Sequence, residues 1–451
     1  LDFDRFAVRP LLKALARLAA RARLLEVRSK SEVVRPFSEE LSRVEGEIIA
    51  MRERLREHPS PDMIRKVGRR VAEIRSRLDE LAERRRNVLA LLSIERKFGR
   101  LPALLVGTTH SLRKVLRDEF FVGDLSGVER ISAARGEHES FQILVAAPSR
   151  PLGRVEVLVG DLVRIGGPER IGRENVSVRL VGFVKIEKPM DATVSRPGQW
   201  WPDPLLPLPK RDDGNFASFG PFEVPAGRVR SLWVTVYVPR HAPPGDYRGE
   251  FRVLADGAGE ATVKLTLHVW DFALPVRPRL KTSFGLWLGS HVAKFYGGRI
   301  TPELRRKFIE SLLKHRVTPR IGFPLKRKGG KGPPFFDFSQ FDAELSHWLS
   351  KGLTCFPIGP FGRKPNVEEL REVVAHLRAM GWLDMAYDYI FDEPTEAQYP
   401  RVRELARAVR EADPGLKILL TEPPHPDLYG YVDIWCPVTS QFDPKRARER
   451  Q

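Results

Sequence analysis

Met385-Ala386-Tyr387-Asp388-Tyr389-Ile390-Phe391-Asp392-Glu393-Pro394 is the stretch on which the reading of this chain turns. The run from Met385 to Phe391 is largely apolar and reads as a buried strand. A charged helix is expected from about Arg401 to Glu411, stopped by Asp413-Pro414-Gly415. Two adjacent carboxylates, Asp392 and Glu393, therefore fall where a strand ends and the chain turns towards a helix. In a parallel α/β barrel that edge is where active sites are built. Pro394 disfavours helical geometry at the residue before it, so Glu393 is expected to stay extended. The plainer reading is that the two acids merely precede a helix and favour its dipole.

The surroundings repeat the same pattern. Strands are expected at Thr282 to Leu288, Thr318 to Phe323, Thr354 to Ile358, Ala386 to Phe391, Leu416 to Thr421 and Val432 to Val438. Helices are expected at Pro302 to His315, near Asp342 to Lys351, and at Val367 to Met380. Strand and helix alternating every 30 residues or so are the mark of parallel βα units. No Gly-x-Gly-x-x-Gly follows the first strand, so a (β/α)₈ barrel fits better than an open nucleotide-binding sheet. A barrel needs about 250 residues, whereas Pro278 to Gln451 supplies 174. The expectation is a barrel cut before its seventh and eighth strands.

Upstream the rhythm changes. Ser140-Phe141-Gln142-Ile143-Leu144-Val145, Val155 to Val159, Val176 to Val181 and Ser231 to Val238 read as short strands. Gly249 to Leu254 and Thr262 to Val269 flank an Asp256-Gly257 turn, a hairpin signal. Short strands with frequent turns point to a β-sandwich. Trp200-Trp201-Pro202-Asp203-Pro204-Leu205-Leu206-Pro207 reads as a proline-fixed loop that either stacks on a sugar or plugs the core. Before residue 100, apolar residues recur at helical spacing in three stretches, including Leu41, Val44, Ile48, Met51 and then Val71, Ile74, Leu78, Leu81. Two antiparallel helices preceded by a third fit this pattern, as a packing appendage or an oligomerisation element. The expected class is thus multidomain α+β: a helical extension (1–102), a β-sandwich (103–278) and a partial TIM-type (β/α) barrel (279–451).

Composition narrows the function classes. Hydrophobic content of 42% supports substantial cores, and no stretch approaches the roughly 18 apolar residues of a membrane span. The net charge is +18. Residues 1–100 carry half of it, and clusters such as Arg84-Arg85-Arg86 lie among glutamates as a solvated face. No basic patch interleaved with aromatics supports a nucleic-acid binder. Cys355 and Cys436 both lie in apolar runs and are expected to be buried free thiols. The chain opens on Leu1 rather than Met, so its compartment, cytoplasmic or exported, stays open.

Several motifs together resemble a known family. They are Ala134-Arg135-Gly136-Glu137 with Phe141-Gln142, Pro202-Asp203-Pro204-Leu205, Pro244-Gly245-Asp246-Tyr247 with Gly249, Tyr389 to Pro394, and Tyr431-Val432-Asp433-Ile434-Trp435. In this order they resemble glycoside hydrolase family 123, which overlaps a group catalogued as domain of unknown function 4091. The resemblance spans about residues 105 to 443 and has no counterpart for the helical region. It implies a sandwich followed by a (β/α)₈ catalytic domain that removes terminal β-linked N-acetylgalactosamine. It also implies that Asp392 and Glu393 carry the reaction.

Residue chemistry agrees with that implication. Many glycosidases place carboxylates on opposite sides of the scissile bond, about 5–5.5 Å apart for retention and about 6.5–9.5 Å for inversion. Sequence neighbours at one strand end do not easily straddle a sugar. They suit the substrate-assisted exception, in which the sugar's 2-acetamido oxygen attacks the anomeric carbon. Glu393 would be the general acid and then the base. Asp392 would accept the acetamide N–H and stabilise the cationic intermediate.

Trp287, Tyr389, Glu422 and Trp435 lie at strand ends and are the candidate substrate contacts, with core packing as the alternative for the tryptophans. His291 follows the first strand and is a weaker candidate. Lys326-Arg327-Lys328-Gly329-Gly330-Lys331-Gly332 lacks the Gly-Lys-Ser/Thr of a phosphate loop and reads as a solvated loop. The histidines show no metal-ligand spacing, so neither a catalytic metal nor another cofactor is expected. The partner expected is a carbohydrate. A non-catalytic glycan-binding protein that kept the fold is the alternative function.

Overall fold

In the computed structural model the described residues are 34–445, without 58–60, 191–193, 196, 213, 287 and 331, together with Pro10 and Lys13. The expected first helix of the N-terminal region lies outside them. The chain divides into two compact units, Leu1–Leu274 and Pro275–Gln451.

The first unit opens with helices Arg35–Glu57 and Pro61–Phe98. Val34, Phe37, Leu41, Val44, Ile48 and Met51 are buried on the first, and Val71, Ile74, Leu78 and Leu81 on the second. Arg70 and Arg77 both bond Glu47, and Arg77 also bonds Glu40. Numbers that fall along one helix as they rise along the other mean antiparallel helices. The second helix then runs on to the sheets. Ile94 packs with Leu105, Val115 and Phe120, and the Asn87 amide donates to Asp118 O at 2.7 Å while accepting from Phe120 N at 2.8 Å.

Two sheets follow. One is antiparallel, in the order Leu105–His110, His138–Ala147, Arg228–Tyr237, Val176–Lys185, Trp200–Pro207. The other runs Val128–Arg135, Gly259–Ala273, Gly245–Ala255, Leu152–Val159, Ala217–Val224, Lys210–Asp212. Among the described residues its parallel pair is Val128–Arg135 against Gly259–Ala273. Alternate residues of both sheets fill a shared core, with Phe141 meeting Phe251 edge-on at 5.6 Å. Trp200–Pro207 is therefore a strand rather than the expected loop. Its prolines are tolerated because the strand lies at a sheet edge, where backbone N–H groups on one side need no partner. Nor are its tryptophans bare platforms, since Arg117 lies 4.2 Å over Trp200 and Lys114 4.6 Å over Trp201.

In the second unit we number the strands β1 (Phe284–Gly285), β2 (Pro319–Arg320), β3 (Phe356–Ile358), β4 (Ala386–Phe391), β5 (Lys417–Leu420) and β6 (Ile434–Trp435). Helices α1 (Pro302–Lys314), α2 (Ser339–Ser350), α3 (Val367–Ala379) and α4 (Tyr399–Ala412) alternate with them. β1 pairs with β2, and β3 to β6 form one sheet, all in parallel. Between β2 and β3 the Thr318 hydroxyl makes a link: its Oγ1 lies 2.6 Å from Thr354 Oγ1 and accepts the Thr354 backbone N–H at 3.2 Å.

The elements start where local chemistry directs. Thr301 caps α1 ahead of Pro302, and Asn366 caps α3. Val402, Leu405, Ala406 and Val409 are the buried stripe of α4, which joins one core with Ile390, Ile418 and Val374. β1, β2 and β6 are shorter than the apolar runs that announced them. The basic loop after β2 is exposed over its described residues, as expected, and is held at its base by the paired strands Lys326–Arg327 and Phe336–Asp337. Arg327 there bonds Glu369. Cys355 is buried as expected, but Cys436 is exposed, because its apolar run passes the end of β6. Among the described residues no helix is long and apolar enough to cross a membrane.

Candidate functional site

β4 is buried on both faces, as parallel strands are. Tyr387 and Tyr389 pack with Cys355 and Leu419 on one side, while Ala386 and Ile390 join the helix-facing core on the other. The register then sets the site. Tyr389 pairs with Leu419 but Phe391 pairs with Leu420, so one extra residue bulges on β4. Leu420 in turn pairs with Trp435. The bulge brings the ends of β4, β5 and β6 level, which sets Asp392 beside Thr421.

Side chains tie this edge together. Thr421 Oγ1 donates to Asp392 Oδ1 at 2.9 Å and accepts the Glu393 N–H at 2.8 Å. The Tyr389 hydroxyl donates to the same Asp392 oxygen and lies 3.2 Å from Thr421 Oγ1. Two O–H donors thus converge on one carboxylate oxygen. Burial first, and the hydrogen bond to Asp392 next, hold the Tyr389 phenol above its usual range, so it stays a proton donor. The Arg320 guanidinium at the end of β2 sits 4.5 Å over the Tyr389 ring, and Phe361 lies 5.0 Å from it. Deeper in, burial pushes Tyr387 up to about 12, and its hydroxyl is 2.5 Å from Ser283 Oγ.

Glu393 departs from expectation. Its φ is +43°, in the left-handed region rather than extended. Pro394 disfavours the right-handed helical well but does not forbid the left-handed one, where the Glu393 N–H bonds Thr421 Oγ1. For a side-chain-bearing residue this conformation is strained, and such strain collects at functional sites. Asp392 and Glu393 are both exposed at the strand mouth.

The other predicted residues divide. Glu422, next to Thr421, is 3.4 Å from the Tyr399 hydroxyl, whose ring packs 4.9 Å from His425. Trp435 is level with Leu420, half-buried, and edge-on to Tyr429 at 6.4 Å. Trp287 lies outside the described residues. His291 falls in the π-helical turn Leu288–Val292. Thr421, Arg320 and Phe361 were not singled out from sequence. Thr421 alone had a signal there, as the residue between the fifth strand and Glu422. A cleft of about 1100 Å³ lies elsewhere, in the first unit beside Arg84, Arg117 and Trp200.

The first unit is thus a sheet-on-sheet layer, and the second a set of parallel βα repeats with paired acids at a strand end. Residues 122–255 match the family model described as Glycoside hydrolase 123 N-terminal domain. The chain is similar in fold to the family 123 glycoside hydrolase from Clostridium perfringens, whose structure details glycolipid glycan hydrolysis. The TM-score is 0.50 at 17% identity, over 76% of this chain and 68% of that one. A DUF4466 family protein from Parabacteroides merdae aligns at 16% identity over 36% of this chain and 43% of its own, with a TM-score of 0.22. A Bacteroides ovatus GH5 xyloglucanase solved with a heptasaccharide aligns at 8% identity over 69% and 68%, also at 0.22. No curated protein matches the chain.

Proposed function

We propose that this chain is a retaining exo-β-N-acetylgalactosaminidase-like glycoside hydrolase that uses substrate assistance. One observation carries the reading: Asp392 and Glu393 follow β4 directly, and Asp392 is anchored by two hydroxyls while Glu393 sits in a strained turn. A carboxylate with one oxygen already engaged is suited to orienting a group rather than attacking a carbon. Glu393 gives its proton to the glycosidic oxygen as the bond to the anomeric carbon breaks. The sugar's acetamide oxygen forms the new bond to that carbon, and Asp392 holds the acetamide N–H as positive charge develops. Water then attacks the same carbon, Glu393 takes its proton, and the ring of the intermediate reopens. Two displacements at one carbon give retention.

The same reading completes the architecture. The two paired strands and the four-stranded sheet are consecutive staves of a (β/α)₈ barrel, with Tyr389, Glu422 and Trp435 at its mouth as substrate contacts. The helical hairpin is an extension of the sandwich. The test is hydrolysis of an aryl β-N-acetylgalactosaminide followed by proton NMR. The β-anomer of N-acetylgalactosamine is expected as first product. Appearance of the α-anomer first, or no turnover by folded protein, contradicts the reading.

A further inference from the structure

We infer that Thr421 is the positioning residue of the Asp392–Glu393 pair, fixing both acids through a single hydroxyl. This rests on the proposed role of those acids. The register places Thr421 level with Asp392, since the residues before them, Leu420 and Phe391, are paired across β4 and β5. A hydroxyl offers one proton and accepting lone pairs, and here both functions are used. Its proton goes to Asp392 Oδ1 at 2.9 Å, and it accepts the Glu393 N–H at 2.8 Å.

The second bond bears on the backbone. At φ +43° Glu393 occupies a conformation that persists only where the surroundings impose it. Thr421 supplies the acceptor that this turned N–H requires. A threonine also suits the task, because its branched β-carbon restricts the first side-chain torsion and so fixes the oxygen. The two acids are thereby locked to β5 as well as to their own strand. A shift of either would alter the relation between proton donor and acetamide partner, and misplacement of about 1 Å can cost on the order of 10²-fold in rate.

The experiment compares Thr421→Val with Thr421→Ser in the full chain. Two readouts are taken: hydrogen exchange of the Glu393 amide and steady-state kinetics on the aryl β-N-acetylgalactosaminide. Valine keeps the shape and removes both bonds. It should abolish protection of the Glu393 amide and lower kcat about 10–100-fold with KM within about 3-fold. Serine should restore protection and most of kcat. Unchanged amide protection in the valine variant, or serine failing as badly as valine, overturns the inference. If valine abolishes protection while kcat is unaltered, Thr421 holds the turn but does not position the reaction, and the inference is again overturned. Failure of the underlying reading is seen separately: Glu393→Gln would then keep full activity whatever the amide does.

Discussion

Asp388 is the residue whose replacement exposes the energetics of β4 most cleanly. It is 1% exposed. Its Oδ1 finds no hydrogen-bond partner among the described residues. Burial alone raises its carboxyl from 3.8 to about 7. The left-handed Gly359 leaves the carboxylate room, since a Cβ there would come within 2.4 Å of Oδ2. In the unfolded chain the group ionises near pH 4, whereas in the folded chain it holds its proton to about pH 7. Between those values the native state binds the extra proton, so stability falls as pH rises. The contribution is whole below about pH 4 and is lost by the time pH has climbed through about 7. At about 1.4 kcal/mol per pH unit, moving from pH 5 to pH 8 should cost about 3 kcal/mol. Asp388→Asn removes the titration and should flatten this part of the profile. Hydrogen exchange of the β4 amides, followed from pH 5 to 8 and corrected for intrinsic rates, reads the difference locally. Parallel profiles for wild type and variant would refute the reasoning.

Other outcomes follow from single contacts. Gly359→Ala places a methyl against the Asp388 carboxylate at a φ of +87°, and should destabilise the second unit by about 2 kcal/mol or more in denaturant titration. Tyr389→Phe removes a donor to Asp392 and should lower kcat about 10–100-fold, because a hydrogen bond to a charged group is worth roughly 1.5–3 kcal/mol; unchanged kcat would leave that phenol a packing residue. Ile94→Ala, at 4% exposure between helix and sheets, should cost about 2–4 kcal/mol and loosen the sandwich edge around Leu105, read by hydrogen exchange.

Much of this molecule was legible because burial leaves a period in the sequence. β4 is found at its expected ends, Ala386 and Phe391, since all its residues are apolar or sealed by neighbours. α4 likewise follows from Val402, Leu405 and Val409. The Trp200–Pro207 edge strand was not legible, because its prolines mark loops everywhere except at a sheet edge. Cys436 misled for a related reason, as apolar neighbours do not bury a residue just beyond a two-residue strand. At the candidate site, the acids stood out by type and adjacency. Thr421 did not, because its importance comes from a register that a bulge shifts by one residue. The left-handed turn at Glu393 was hidden too, since Pro394 restricts the preceding residue without choosing between the wells that remain.

The central claim is that the substrate's own acetamide performs the first displacement, with Asp392 and Glu393 in attendance. It is tested most directly by comparing kcat/KM for an aryl 2-acetamido-2-deoxy-β-galactoside with that for the 2-hydroxy galactoside bearing the same leaving group, in wild type and in Glu393→Gln. The account predicts ready hydrolysis of the acetamido sugar, little of the hydroxy sugar, and a loss of about 10²–10⁴ in the glutamine variant. Equal rates on the two sugars would contradict substrate assistance, and full activity in Glu393→Gln would leave the two acids as no more than the end of a strand.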